Sequence, residues 1–366
     1  MKIGIYTIHA DNNYGAMLQA YATQKALEKI GVDSELVNLY PKEKEKKNKY
    51  SYPSNSIRNL AKNIYSICNH KVRLKSKRFA DFHNSMKLSK RYYSLDEIYH
   101  NPPIYDIHLV GSDQVWNLEN GLKGRAFYFL DFLSSHENIM SYASSFGSDV
   151  INEEDKLKLK FLLKRFRYIS VREHSGVDLI KKSTGLNAAL VMDPTFLLNQ
   201  EDWEKLAGKY PLINDDYILA YGFAKKLETN QLIDIIKRKY NMPVIGISVS
   251  IHHPFNYDSF YQEAGPIEFL NLIKNAKFVI TASYHGAAFA IHFKKDFFVS
   301  RHPTRNSRIE TMLALTGLED RMIDLSDPAS YKNKETTINY SSFVLSKITE
   351  MSEYSFNWLQ NCIHGF

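Results

Sequence analysis

The chain has few of the residues that would place it in several common functional classes. Only two cysteines occur, Cys68 and Cys362. They lie far apart in no metal-ligand pattern, so free thiols in a reducing compartment are expected. No run of roughly 18 apolar residues exists to span a bilayer. The opening apolar run is about six residues long and meets Asp11-Asn12-Asn13, which does not suit a secretory signal. A cytoplasmic protein is expected, with any membrane contact peripheral. The dinucleotide fingerprint G-x-G-x-x-G, a Walker loop, H-E-x-x-H, G-x-S-x-G, D-x-D and a His/Cys cluster are all missing. No metal site, cofactor or nucleophilic serine is therefore signalled. No nucleic-acid-binding motif accompanies the basic charge, so nucleic acid is not an expected partner.

What is present is an ordinary globular composition of 366 residues, 44% hydrophobic and 24% charged, long enough for about two domains. Aromatics are abundant, with 24 Tyr and 21 Phe; most are expected in the core, and some would suit a sugar cleft. The net charge of +7 is unevenly placed: residues 42–80 carry twelve Lys/Arg against Glu43 and Glu45, leaving the rest slightly acidic. That segment reads either as a solvated helical excursion or as a patch for an anionic membrane surface.

Periodicity predicts an α/β protein. Lys2–Ile8 reads as a strand, Ala16–Ile30 as an amphipathic helix stopped by Gly31, and Ser34–Leu39 as a second strand. This opening predicts a parallel sheet with a right-handed crossover. Further strands are expected at 107–110, 139–143, 168–171 and 189–192. Residues 199–216 read as a join between domains. A second α/β set follows, with strands at 217–222, 244–249, 278–280 and 297–300, and the chain closes on a helical segment, 341–359. Polar or glycine-bearing residues follow strand after strand, as a ligand cleft at the carboxyl edge of a sheet requires.

Six segments could carry chemistry. Ser283-Tyr284-His285-Gly286 lies between a short apolar strand and a small-residue helix, where a helix N-terminus favours an anion; His285 there is either a cap or a proton-transfer group. Asn12-Asn13-Tyr14-Gly15 holds a capping Asn and a glycine that admits close approach. Gly111–Asn117 offers Asp113, Gln114 and Asn117 to sugar hydroxyls, with Trp116 as an apolar platform or a core anchor. Arg172 ends a strand, where it can grip an anion or pair with Glu173 or an Asp. In Asp193-Pro194-Thr195, Asp193 would orient Arg172, line the cleft or make a turn. Finally, Arg301 and Arg308 bracket an arginine-rich segment suited to an anionic donor or to solvent.

Taken together, these pieces resemble the polysaccharide pyruvyl transferase family. The resemblance rests on I-x-x-x-H-x-x-x-N-Y-G-A-M-L-Q-A-Y-A at 5–22 (Ile5 to Ala22), V-G-S-D-Q-V-W-N at 110–117, S-Y-A-S-S-F-G at 141–147, S-V-R-E-x-S-G at 170–176, M-D-P-T-F-L-L at 192–198 and S-Y-H-G-A-A-F-A-I at 283–291. It implies a GT-B-like fold of two Rossmann-like domains: 1–205 on the acceptor side with the basic excursion 42–80, 215–340 on the donor side, and a C-terminal helix, 341–366, crossing back to the first domain. The implied activity is transfer of pyruvate from phosphoenolpyruvate, as a ketal, to a sugar of a cell-surface polysaccharide or its polyprenyl-linked precursor. Phosphoenolpyruvate is then a co-substrate and no cofactor is expected. His285 and Arg172 are the implied catalytic residues. Ser283, Gly286, Arg301 and Arg308 are expected at the donor; Asn13, Tyr14, Gly15, Asp113, Gln114 and Asn117 are expected at the acceptor. Some family members carry arginine where this chain has Tyr284, and Arg301 or Arg308 is expected to compensate. The same domain plan also suits a nucleotide-sugar glycosyltransferase or a non-catalytic glycan-binding protein.

Overall fold

The computed structural model describes residues 1–366 except 54–55, 120, 135, 148–150, 224–225, 251–254 and 302–305, and leaves aside the side chains of 123, 124 and 226. Twelve short strands are assigned among the described residues. In the first half these are β1 (Lys2–Tyr6), β2 (Asp33–Leu36), β3 (Ile107–Val110), β4 (Ile139–Ser141), β5 (Ser170–Val171) and β6 (Ala189–Leu190). In the second half they are β7 (Ile218–Tyr221), β8 (Val244–Ile247), β9 (Ser259–Phe260), β10 (Phe278–Thr281), β11 (Asp296–Ser300) and β12 (Met322–Ile323).

The first sheet runs β2-β1-β3-β4, all parallel. Parallel bridges Met140–Tyr168 and Ser144–Val171 attach the β5-β6 pair to its edge. The second sheet runs β12-β11-β10-β7-β8-β9, again all parallel. Central strands such as β3, β7, β8 and β10 are buried at every residue. Helices cover both faces of such sheets, so these strands are apolar runs rather than alternating ones. Strand order reverses between β1 and β3 in the first domain and between β7 and β10 in the second, which is where open α/β sheets leave a crevice.

The first helix, Tyr14–Ile30, starts two residues before the expected Ala16, and its buried face begins at Tyr14 itself. Asn13 caps it by accepting from the Ala16 N–H at 3.2 Å, and Gly31 ends it in the left-handed region. The two-residue strands β9 and β12 were too short to show a period. The 199–216 join contains a helix, Gln200–Ala207, whose Trp203 is fully buried and donates to the Thr195 carbonyl. The C-terminal helix, Ser342–His364, starts beside Gly317 and reaches the first domain, where Ser355 Oγ accepts from the Met192 N–H at 2.8 Å and Phe366 packs on Tyr168. It therefore crosses back as expected. Among the described residues no helix is long and apolar enough to cross a membrane.

The basic excursion folds into three helices, Lys42–Asn48, Ile57–Cys68 and His70–Ser85. Part of its charge is turned inward. Lys75 is fully buried and donates to Tyr14 Oη and to the Ser248 and Gln262 carbonyls. Arg78 pairs with Glu268, and Lys71 lies 3.7 Å from Glu263. These contacts join the excursion to the second domain, so the whole of 42–80 is not a free cationic patch.

Candidate active site

A cleft of about 1320 Å3 opens between the carboxyl edges of the two sheets. Its walls come from the turns after β1 and β3 on one side and after β7, β8 and β10 on the other, and residues 46–53 of the excursion form its rim. Asn13, Asp113, Gln114, Ser283, His285 and Arg308 all line it. Turns far apart in the chain are brought together because both sheets present their topological switch points to the same space.

His285 lies in the first turn of the Tyr284–His292 helix, with Ser283 as N-cap. The turn is held to the sheet by Thr281 Oγ1, which donates to the Tyr221 carbonyl at 2.9 Å and accepts from the Ser283 N–H at 3.1 Å. Gly286 serves this packing rather than the donor: a Cβ there would stand 2.3 Å from Thr281 Oγ1. The imidazole crosses to the first domain. A Cβ on Gly15 would stand 2.1 Å from His285 Nδ1, so Gly15 makes room for the ring and is not an acceptor contact. His285 Nε2 lies 3.8 Å from Asp193 Oδ2, an ion-pair distance longer than a hydrogen bond.

Asp193 is the hub beneath the histidine. Its Oδ2 accepts from Arg172 Nη1 at 2.5 Å and from Ser112 Oγ at 3.1 Å, and its Oδ1 accepts from the Thr195 N–H at 3.1 Å. Two of the roles considered for it, orienting Arg172 and forming a turn, are present; the third is not, since Asp193 is fully buried behind the cleft wall. Burial alone would raise its carboxyl pKa; His285, Arg172 and the Thr195 amide outweigh that and hold it well below the usual carboxylate range. Asp113 behaves similarly: burial opposes ionisation, and Arg172, His285 and Arg308 prevail. Asp113 also sits in the left-handed region at φ 68°, a strained placement of the kind that persists where surroundings over-determine it.

Arg172, expected to meet the donor, is instead held inside the first domain. Its side chain is fully buried, bound to Asp193 and, at 3.0 Å, to Asp113, with the Tyr284 ring 4.6 Å away across its face. Two carboxylates neutralise it, so no charge is left over for a ligand. Tyr284 thus has a role of its own, covering the guanidinium as a cation–π partner.

Arg308 is a guanidinium on the cleft wall, in range of the Asp113 charge but not ion-paired with it. It enters from the first turn of the Ser307–Thr316 helix. With the Gln114 amide oxygen turned toward it, Gln114 accepts from Nη1 and Nη2 at 2.5 and 2.7 Å. Among the described residues no carboxylate lies within 4 Å of it, and its buried Nε has no partner. Burial first, then the charge of Arg172, lowers its pKa below that of a solvated arginine; a guanidinium stays protonated even so. Arg301, by contrast, is exposed, 3.5 Å from Glu310 and away from the cleft wall. Solvent and a surface carboxylate satisfy it, so of the two arginines only Arg308 lines the cleft. Residues 302–305, including Arg305, lie outside the described residues.

Other expected acceptor contacts are redistributed. Tyr14 is fully buried, donating to the Ser248 and Ala264 carbonyls and stacking on Phe269; it joins the domains rather than facing a sugar. Asn117 is buried behind Gln114 and accepts from the Glu119 N–H at 3.0 Å. Trp116 is a core anchor, donating to the Tyr128 carbonyl and stacked on Phe129. Asn13 and Gln114 remain on the cleft wall. The rim adds Lys46, Lys47 and Arg125, none of which sequence reasoning placed here. The only signal for the lysines was the basic run itself, and it carried no hint of which domain edge it would reach.

Known structures share this architecture at low identity. The chain is similar to UDP-GlcNAc 2-epimerase from Methanocaldococcus jannaschii in complex with UDP-GlcNAc and UDP, with 13% identity and a TM-score of 0.52, covering 97% of this chain and 100% of that one. It is similar also to an α-glucosyltransferase in complex with UDP and a DNA 13-mer, with 10% identity and a TM-score of 0.52, covering 100% and 99%. At such identities the likeness establishes the fold, which is GT-B-like, with two Rossmann-like domains. No curated protein matches the chain significantly. The family model described as polysaccharide pyruvyl transferase matches residues 13–302, taking in both walls of the cleft, and the chain belongs to that family.

Proposed function

We propose that this protein transfers the pyruvyl group of phosphoenolpyruvate to two hydroxyls of a sugar in a polysaccharide or its lipid-linked precursor. The observation that carries this reading is Arg308, a half-buried cation on the cleft wall without a carboxylate partner among the described residues, beside Ser283 and His285. Phosphoenolpyruvate brings a carboxylate and a phosphate, which suit that guanidinium and the N-terminal end of the Tyr284–His292 helix.

In this reading His285 moves the protons. Protonation of the donor's methylene carbon makes it a methyl group and leaves C2 electron-poor. One sugar hydroxyl adds to C2 and gives up its proton. The C2–O bond to phosphate then breaks, and phosphate leaves with the bonding pair. The second hydroxyl adds and loses its proton, closing the ketal. Two hydroxyl protons are released, one balanced by the new methyl group and the other by the phosphate. An imidazole suits such transfers near neutral pH. Asp193 is placed to stabilise the imidazolium, as a positioning carboxylate at 3.8 Å. Asn13 and Gln114 would face the acceptor.

The test is phosphate release from phosphoenolpyruvate with a panel of glycans, coupled to thermal shift. Donor-dependent stabilisation that Arg308→Gln abolishes, together with acceptor-dependent phosphate release that His285→Ala abolishes, is expected. Stabilisation by a nucleoside diphosphate instead would favour a nucleotide-sugar glycosyltransferase. Glycan binding with neither donor would favour a binding protein.

A further inference from the structure

The Ile57–Cys68 helix is amphipathic and faces the wrong way for a surface helix. At 100° per residue Ile57, Leu60, Ala61, Ile64, Ile67 and Cys68 fall on one continuous arc. That arc points outward: Ile57 is 88% exposed, Leu60 52%, Ile64 55% and Ile67 68%. The polar arc points inward. Asn63 exchanges hydrogen bonds with both backbone groups of Tyr52, Asn59 Nδ2 donates to the Pro53 carbonyl, and Ser66 is buried. Lys62 lies 4.9 Å above the Tyr52 ring. A helix so arranged leaves an apolar strip in water that folding does not cover.

We propose that this strip docks on an anionic bilayer surface. Charge complementarity selects the occupant. The strip sits in a segment with twelve Lys/Arg and two Glu. Lys71, Lys75 and Arg78 are engaged with the second domain, and Lys44, Lys49 and Lys77 pair with carboxylates, but Arg58, exposed beside the strip, and Arg73, on the Ile67 carbonyl at its end, have no carboxylate within 4 Å among the described residues. An apolar face flanked by cations is how interfacial helices sit between headgroups and acyl chains. A second copy of the chain is a poorer occupant, because a two-fold contact would set one basic face against another. The face is also only about 18 Å long and about 10 Å wide, on the order of 200 Å2, well short of the roughly 800 Å2 per partner of a stable interface. Tyr52 and Pro53, just before the helix, line the cleft rim, so the docked surface would lie beside the cleft mouth. This inference stands independently of the donor's identity.

The experiment is co-sedimentation of the full chain with phosphatidylcholine vesicles containing or lacking phosphatidylglycerol. Binding to the anionic vesicles that weakens with salt is expected. Leu60→Glu/Ile64→Glu should reduce it at least about tenfold, and Arg58→Gln about fivefold, with thermal stability unchanged. A second readout does not depend on those variants folding. Cys68 is exposed and Cys362 buried, so an environment-sensitive dye placed on Cys68 should shift to the blue on anionic vesicles alone. No pelleting, no dye shift, or binding indifferent to the double substitution in a folded variant overturns the proposal. So does self-association in sedimentation velocity that the double substitution abolishes, which would give the strip to a second copy.

Discussion

Gly15 and His285 meet across the two domains, so closely that a Cβ on the glycine would stand 2.1 Å from the imidazole Nδ1. One residue opens the first helix of the first domain and the other opens a helix of the second. The histidine can therefore occupy this position only while the domains are closed on each other and position 15 has no side chain.

This relationship makes Gly15→Ala informative. Alanine is the better helix former by about 1 kcal/mol, so without His285 the change would be neutral or stabilising. We expect the opposite for function: displacement of the imidazole, and turnover lower by at least about a hundredfold. Steady-state kinetics beside a melting curve would check it, and full activity in a folded variant would contradict the closed contact.

Asp193→Asn should unfold the protein more readily. It leaves Arg172 with one carboxylate instead of two in a fully buried site, a loss of about 3 kcal/mol or more. The sign with pH follows from the depressed carboxyl. Stability from Asp193 is complete above its unfolded pKa near 4 and is lost as pH falls through its lower folded value. The difference between wild type and variant in urea unfolding should therefore be steady from neutral pH to about pH 5 and shrink only in stronger acid.

Arg308 and Arg301 should separate cleanly. Arg308→Gln removes a half-buried charge together with its two hydrogen bonds to Gln114 and its support of the Asp113 carboxylate, so stability should fall modestly, by about 1–3 kcal/mol. Donor affinity should fall about ten- to a hundredfold. Arg301→Gln touches only a solvated pair at 3.5 Å and should change neither by more than about threefold. Isothermal titration with phosphoenolpyruvate would read both.

Lys75 predicts an alkaline effect. Burial lowers its pKa to about 7, well below the unfolded value near 10.4. Between those values the unfolded chain binds the extra proton, so folding stability should rise with pH, by up to about 1.4 kcal/mol per unit. Below pH 7 both states are protonated and the slope vanishes. Unfolding measured from pH 7 to 9.5 should lose this slope in Lys75→Met.

Much of the fold was legible because its signals are local. Buried parallel strands are continuous apolar runs, Gly31 stops the first helix, and Asn13 caps the helix it precedes, whereas the cap expected at His285 falls to Ser283. The site was legible in part for the same reason. Strand-to-helix turns announce a cleft edge, and Asn13, Asp113, Gln114, Ser283, His285 and Arg308 all reach one. Arg172 misled because its surroundings are not local. Asp193 lies 21 residues on and Asp113 59 residues back, and nothing in Ser170–Gly176 says that both carboxylates converge on it. The excursion misled likewise. Its charge is visible as a run, but which lysines turn toward the second domain depends on where the Ser248 and Gln262 carbonyls arrive.

The sequence by itself determined the two α/β halves, the turns that edge the cleft and the family's motifs, because strand burial and helix capping are set by residues a few positions apart. Only the tertiary structure decided which cations remain free. Whether Arg172, Arg301, Arg308 or Lys75 can meet an anion depends on how many acceptors the fold has already placed around each. The same packing set His285 against Gly15 and turned the apolar strip of the Ile57–Cys68 helix outward.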